Sequence, residues 1–180
     1  MLQSAQLIDR SSPAQRPNRR AIGYQRWTEM LFVHWRMPVE SVAELLPSGL
    51  TLDAWDGDAW IGLVAFHMSG VRPSWFPALP GVSEFHETNV RTYVHRQGKD
   101  PGIWFFSLEA ANALAVYVAK QRWRLPYFHA RMKIDRSGDR ISYHSQRTNR
   151  TAAGGAYLNA EATITCTDAE GDLPPVAAEP

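Results

Sequence analysis

Cysteine is nearly missing from this chain. A single one, Cys166, stands among 180 residues, which excludes an internal disulfide and makes a reducing cytoplasm the expected compartment. Cys166 has no partners at zinc-site spacing and reads as a small residue in a strand. Long apolar runs are also missing, so no membrane-spanning helix is expected. Charge of one sign is not in excess. The net charge is +1, and nothing in it calls for nucleic acid or an anionic membrane. Complete catalytic signatures are absent: there is no HExxH, GxSxG elbow, P-loop or GxGxxG. His34, His67, His86, His95, His129 and His144 are scattered without ligand spacing. Neither a metal nor an organic cofactor is expected.

What is present is apolar and aromatic. Hydrophobic residues make up 44% and charged residues 21%, enough for one domain with a sizeable core. Seven Trp, seven Phe and six Tyr favour a β-rich core or a lined cavity. Residues 1–22 hold Arg10, Arg16, Arg19 and Arg20 among Ser, Gln and Pro, and read as a disordered arm. Residues 23–166 form the expected domain. Residues 167–180 are acidic, proline-containing and patternless, and read as a disordered tail.

Within the domain, 27–37 is apolar enough for a strand, and 39–46 places Val42, Leu45 and Leu46 at helical spacing. Residues 51–55 and 59–71 read as a hairpin around Asp56-Gly57-Asp58. Arg72 to Phe85 is a long proline-containing loop with Trp75 and Phe76 as exposed anchors. A strand follows from Glu87, and another returns from Gly102 to Leu108. Residues 111–123 form a helix with Leu114, Ala115 and Val118 on its apolar side, and Leu125-Pro126 stops it. Residues 127–135, 140–147 and 156–166 complete a β-meander. About seven strands and two helices without a βαβ rhythm imply a predominantly β, α+β fold. Its antiparallel sheet is curled or closed like a barrel, with both helices packed on it.

The chemistry concentrates in Glu87-Thr88-Asn89-Val90-Arg91-Thr92-Tyr93-Val94-His95. Strand period two puts Glu87, Asn89, Arg91, Tyr93 and His95 on one face. That face is either a solvated outer surface or the wall of a polar pocket. Successive members lie about 6.6 Å apart, close enough to share a ligand. Neighbouring strands repeat the pattern, with Tyr127, His129, Arg131 and Lys133, then Tyr143, Ser145 and Arg147, and with Ser107 and Glu109 between. Glu87 is a candidate acid or base, and Arg91 a carboxylate binder. Asn89, Tyr93, Ser107 and Arg131 are candidate ligand contacts. Lys120 has two readings. Beside Arg122 in an apolar site it would have a depressed pKa and form a Schiff base with a ketone, or both residues simply complement a helix C-terminus. Arg122-Trp123-Arg124 reads as helix-end packing rather than a nucleic-acid contact.

The chain also resembles a known family. The segments that carry the resemblance are Phe32-Val33-His34-Trp35, Leu45-Leu46-Pro47-Ser48-Gly49-Leu50 and Asp56-Gly57-Asp58-Ala59-Trp60-Ile61-Gly62-Leu63-Val64. Met68-Ser69-Gly70-Val71-Arg72-Pro73, the Glu87–Val94 strand, Gly102–Leu108 and Leu125-Pro126-Tyr127 continue it. It resembles the DUF2071, or YqjF-like, family across residues 24–166. That resemblance implies an acetoacetate-decarboxylase-like barrel with a central pocket lined from the Glu87 strand. The decarboxylase's Lys-Lys pair before Gly-Tyr-Pro is not reproduced, since Lys120-Gln121-Arg122 precedes Leu125-Pro126. Members of the family usually continue past the position of Cys166, so the resemblance implies a barrel short of its last strands. Such an open edge invites oligomers.

Three functions follow as expectations. The first is a barrel whose pocket binds a small organic acid or ketone. The second is a Schiff-base, decarboxylase-like lyase acting on a β-keto acid through Lys120. The third is a non-catalytic interaction module using the Trp75–Phe76 loop.

Overall fold

The computed structural model describes residues 8, 9, 15, 18–138, 140–148 and 159–165. The tail at 167–180, Cys166 and most of the 1–22 arm lie outside them. Strands dominate the described residues: β1 Gly23–Met37, β2 Thr51–Leu52, β3 Ala59–Pro73, β4 Phe85–Arg96, β5 Lys99–Ala110, β6 Tyr127–Ser137, β7 Arg140–Arg147 and β8 Asn159–Thr165. The helices are α1 Val39–Ala43 and α2 Ala113–Trp123. The sheet runs β1-β3-β4-β5-β6-β7-β8, with β2 paired to β4. Every pairing is antiparallel except β5–β6. The sheet is therefore the mostly antiparallel, curled one expected.

The parallel pair follows from the chain's path. Two parallel neighbours cannot be joined by a hairpin, and α2 supplies the crossover. Asn112 starts that helix by accepting a hydrogen bond from the Ala115 N–H at 3.0 Å. Its amide donates to the Val82 carbonyl at 2.9 Å and ties the helix to the preceding loop. Arg124 ends the helix in the left-handed region, at φ 53, and Pro126 forbids continuation.

Two expectations need correction. The Asp56-Gly57 turn closes only a Trp55–Asp58 bridge, not a hairpin of two full arms. β2 pairs instead with the far end of β4, Thr51 with His95 and Leu52 with Val94. That placement buries Leu52 against Val42 and Ala59, which outweighs local pairing. The buried face of α2 is Val116 and Ala119, whereas Leu114 and Val118 are exposed. From Ala113 to Ala119 the helix is apolar all round, so periodicity alone could not choose the face, and contact with the sheet did.

Two apolar clusters hold the sheet on opposite faces. Val64, Phe66, Met68 and Phe85 of β3 and β4 pack with Ala110 and Val116. Val42, Leu52 and Ala59 pack with Ile61 and Phe106. Register slips between Thr28 and Leu31 on β1, and between Val90 and Arg91 on β4, add local twist. The curl brings β7 round to β1, where the Tyr143 hydroxyl donates to the Glu29 carbonyl at 3.0 Å. Arg136 of β6 ion-pairs with the same Glu29 at 3.7 Å.

Candidate functional site

Register assigns the polar row of β4 to a face. Glu87 pairs with Phe66 on β3 and Ala110 on β5, and Asn89 pairs with Val64 and Leu108. Residues directly opposite one another share a face, so this row lies on the side of the cluster that α2 covers. Glu87 is 5% exposed and Asn89 3% exposed, whereas Arg91 and Tyr93 are half-buried. The row thus runs from a sealed end at Glu87 to an open end at Tyr93.

At the sealed end, Tyr127 of β6 pairs with Leu108, the residue opposite Asn89. Its side chain reaches across β5, where Ala110 offers little bulk. The phenol donates to Glu87 Oε2 at 2.9 Å. Burial pushes the Glu87 carboxyl up to about 7, against the opposing effect of hydrogen bonds from Tyr127 and Asn89. Burial, and then the Glu87 charge, push the Tyr127 phenol above its usual range. Glu87 can therefore hold or release a proton near neutral pH. Two buried polar atoms on this row have no hydrogen-bond partner: Asn89 Oδ1, an acceptor, and Arg91 Nε, a donor. Unpartnered buried groups of this kind cost free energy unless a ligand or water satisfies them.

At the open end, the Arg91 guanidinium lies over the rings of Phe32 and Tyr93, 5.3 and 5.9 Å from their centroids. The Tyr93 hydroxyl and His34 Nε2 share a hydrogen bond of 2.7 Å. Burial, and then the charge of Arg91, hold His34 below the usual histidine value. Gly62 makes this arrangement possible, because a Cβ there would come within 3.0 Å of His34 Nε2 and 3.5 Å of Arg91 Cγ. An open depression of about 480 Å3 lies here, lined by His34, Asp53, Trp55, Trp60 and Tyr93.

The other sequence candidates lie elsewhere. Ser107 pairs with Val90, which puts it on the opposite face from Glu87. It belongs to a second buried group, donating to Glu109 Oε1 at 2.5 Å and accepting from Arg147 Nη2 at 2.6 Å. Arg147 also ion-pairs with Glu109 and covers the Phe128 ring at 3.7 Å. Arg131 is exposed on β6, four positions beyond Tyr127, and stands outside the Glu87 group. Lys120 is exposed in the last turn of α2, its ammonium 5.1 Å from the Phe128 ring centre. Arg122 and Arg124 are exposed beside it, and Trp123 is exposed rather than packed. Trp75 and Phe76 project from the loop after β3, packed edge to face on each other. Sequence reasoning did not single out Tyr127 or His34 as site residues. Tyr127 was visible only as the first residue of an alternating strand, and its partnership with Glu87 spans forty positions.

Residues 24–176 match the DUF2071 family, described as an uncharacterized conserved protein. The chain belongs to that family. A DUF2071 relative, the uncharacterized protein YqjF of Bacillus subtilis (strain 168), is 46% identical over 125 residues. That match covers 69% of this chain and 51% of the relative, so the chain spans about half the relative's length. Among solved structures, acetoacetate decarboxylase from Legionella pneumophila subsp. pneumophila str. Philadelphia 1 matches at TM-score 0.51 and 12% identity, covering 73% of this chain and 50% of that one. The enduracididine biosynthesis enzyme MppR complexed with pyruvate matches at TM-score 0.55 and 14% identity, covering 90% and 64%. MppR complexed with the condensation product of pyruvate and imidazole 4-carboxaldehyde matches at 0.56 and 17%, covering 85% and 59%. These likenesses establish an acetoacetate-decarboxylase-like fold for this DUF2071 chain. Among the described residues no helix is long and apolar enough to cross a membrane.

Proposed function

We propose that this DUF2071 protein binds a small organic acid or ketone against the inner row of β4. The observation that carries the reading is the buried Glu87–Tyr127 pair, with a carboxyl poised near neutrality, on the strand face that also carries Asn89 and Arg91. Arg91 binds the ligand's carboxylate through its guanidinium, which lies at the open end over Phe32 and Tyr93. Asn89 Oδ1 accepts from a ligand hydroxyl or bridging water. Glu87, protonated below about 7, is the group at the sealed end of the same row able to hold or release a proton. Tyr93 orders the open end through His34. One protein of this fold, MppR, is held in one structure with pyruvate and in another with a condensation product of pyruvate, which supports the choice of ligand class.

A thermal-shift screen of small carboxylic and keto acids tests the reading. A ligand present at a hundred times its dissociation constant stabilises the folded chain by about 2.7 kcal/mol, a readily measured rise in Tm. Arg91→Ala should weaken that ligand on the order of tenfold to a hundredfold, the range of a charged hydrogen bond. A screen in which no acid or ketone raises Tm, or a ligand indifferent to Arg91→Ala, overturns it.

A further inference from the structure

We propose that the depression at the open end of β4 receives a planar aromatic group, so that the ligand is an aryl-bearing acid rather than a short aliphatic one. This rests on the binding reading above and extends it to the ligand's body. The volume of about 480 Å3 is several times what a three-carbon acid fills, and its walls are mostly rings: Trp55, Trp60, Tyr93 and His34. The Trp60 indole N–H, the Tyr93 hydroxyl and His34 Nε2 are already engaged. The Trp60 indole N–H donates to the Trp55 carbonyl at 3.3 Å, and Tyr93 and His34 hydrogen-bond each other. What these rings chiefly offer is ring surface, suited to stacking.

Charge selects the rest. A cationic ligand would favour an aromatic cage, but two guanidiniums already occupy these rings. Arg36 lies 5.2 Å from the Trp60 ring centre and ion-pairs with Asp58 at 3.7 Å, and Arg91 lies over Tyr93. A cation would therefore have to displace a guanidinium from the Trp60 or Tyr93 ring, with only Asp53 in the wall to draw it in. An anion meets Arg91, two strand positions from Tyr93. One carboxylate for Arg91 and one aryl group for the rings satisfy both conditions.

The test is isothermal calorimetry on the full chain with phenylpyruvate, pyruvate and phenyltrimethylammonium. Phenylpyruvate should bind at least tenfold more tightly than pyruvate. Trp55→Ala should erase most of that margin, and since Trp55 is 68% exposed the substitution should leave the fold intact, which circular dichroism checks. Trp55→Phe should restore the margin. Equal binding of pyruvate and phenylpyruvate would sink the aromatic inference while leaving the acid-binding reading standing. Failure of both acids sinks both. Tighter binding of phenyltrimethylammonium than of phenylpyruvate would overturn the charge argument.

Discussion

Glu87 is a carboxylic acid set among Phe66, Ala110 and Asn89, and its protonation couples to folding. In the folded chain its pKa is about 7, against 4.5 for the free group. The folded state thus keeps a proton that the unfolded state gives up earlier. The associated stability is complete below 4.5 and is lost as pH rises through 7. A difference of that size corresponds to about 3 kcal/mol. Glu87→Gln mimics the protonated form, so its stability relative to the parent should rise by roughly that amount between pH 4 and pH 8, read by urea denaturation. A flat difference would mean that Glu87 is hydrated in solution. His34 and His86 run the other way. Burial lowers both, so the stability they contribute is present above 6.5 and lost as pH falls. At this scale the sequence showed which residue types share a strand face. It did not show Tyr127 beside Glu87, because that hydrogen bond depends on a strand two places away in the sheet.

At the scale of elements, the short parallel seam between β5 and β6 is braced from outside. Arg147 on β7 reaches past β6 to Ser107 and Glu109 on β5. The Glu109 side chain is 0% exposed and that of Arg147 7%, so removing one charge strands the other. Arg147→Ala should destabilise the fold by about 3–5 kcal/mol, and Glu109→Gln combined with Arg147→Met should recover most of the loss. Equilibrium unfolding of the single and double variants measures both. Period-two alternation made these strands legible, and Ser107, Glu109, Ser145 and Arg147 already stood out in it. Alternation cannot say which face of one strand continues which face of the next, so Ser107 was expected beside Glu87 and lies behind it. The buried side of α2 was likewise illegible, since Leu114, Val116 and Val118 are equally apolar and only the sheet distinguishes them.

For the whole molecule, the curled sheet leaves β1 at one edge of the strand order, and much of its apolar surface is open. Met30, Trp35 and Met37 are exposed along it. A long apolar edge strand pairs with another chain unless something covers it. We therefore expect concentration-dependent self-association of this chain, detected by sedimentation velocity and weakened by Met30→Lys. Association untouched by that substitution would place the contact elsewhere. The sequence by itself determined the class of fold, the strand periods, the family and the row from Glu87 to Tyr93, because these depend on local alternation and on the order of short motifs. Tertiary structure alone decided that Glu87 lies buried on the sheet face that α2 packs against, that Tyr127 and His34 complete the two ends of the row, and that Arg131 and Lys120 stay in solvent. The reason is physical: burial and register are set by how distant strands curl onto one another, and no residue carries that curvature locally.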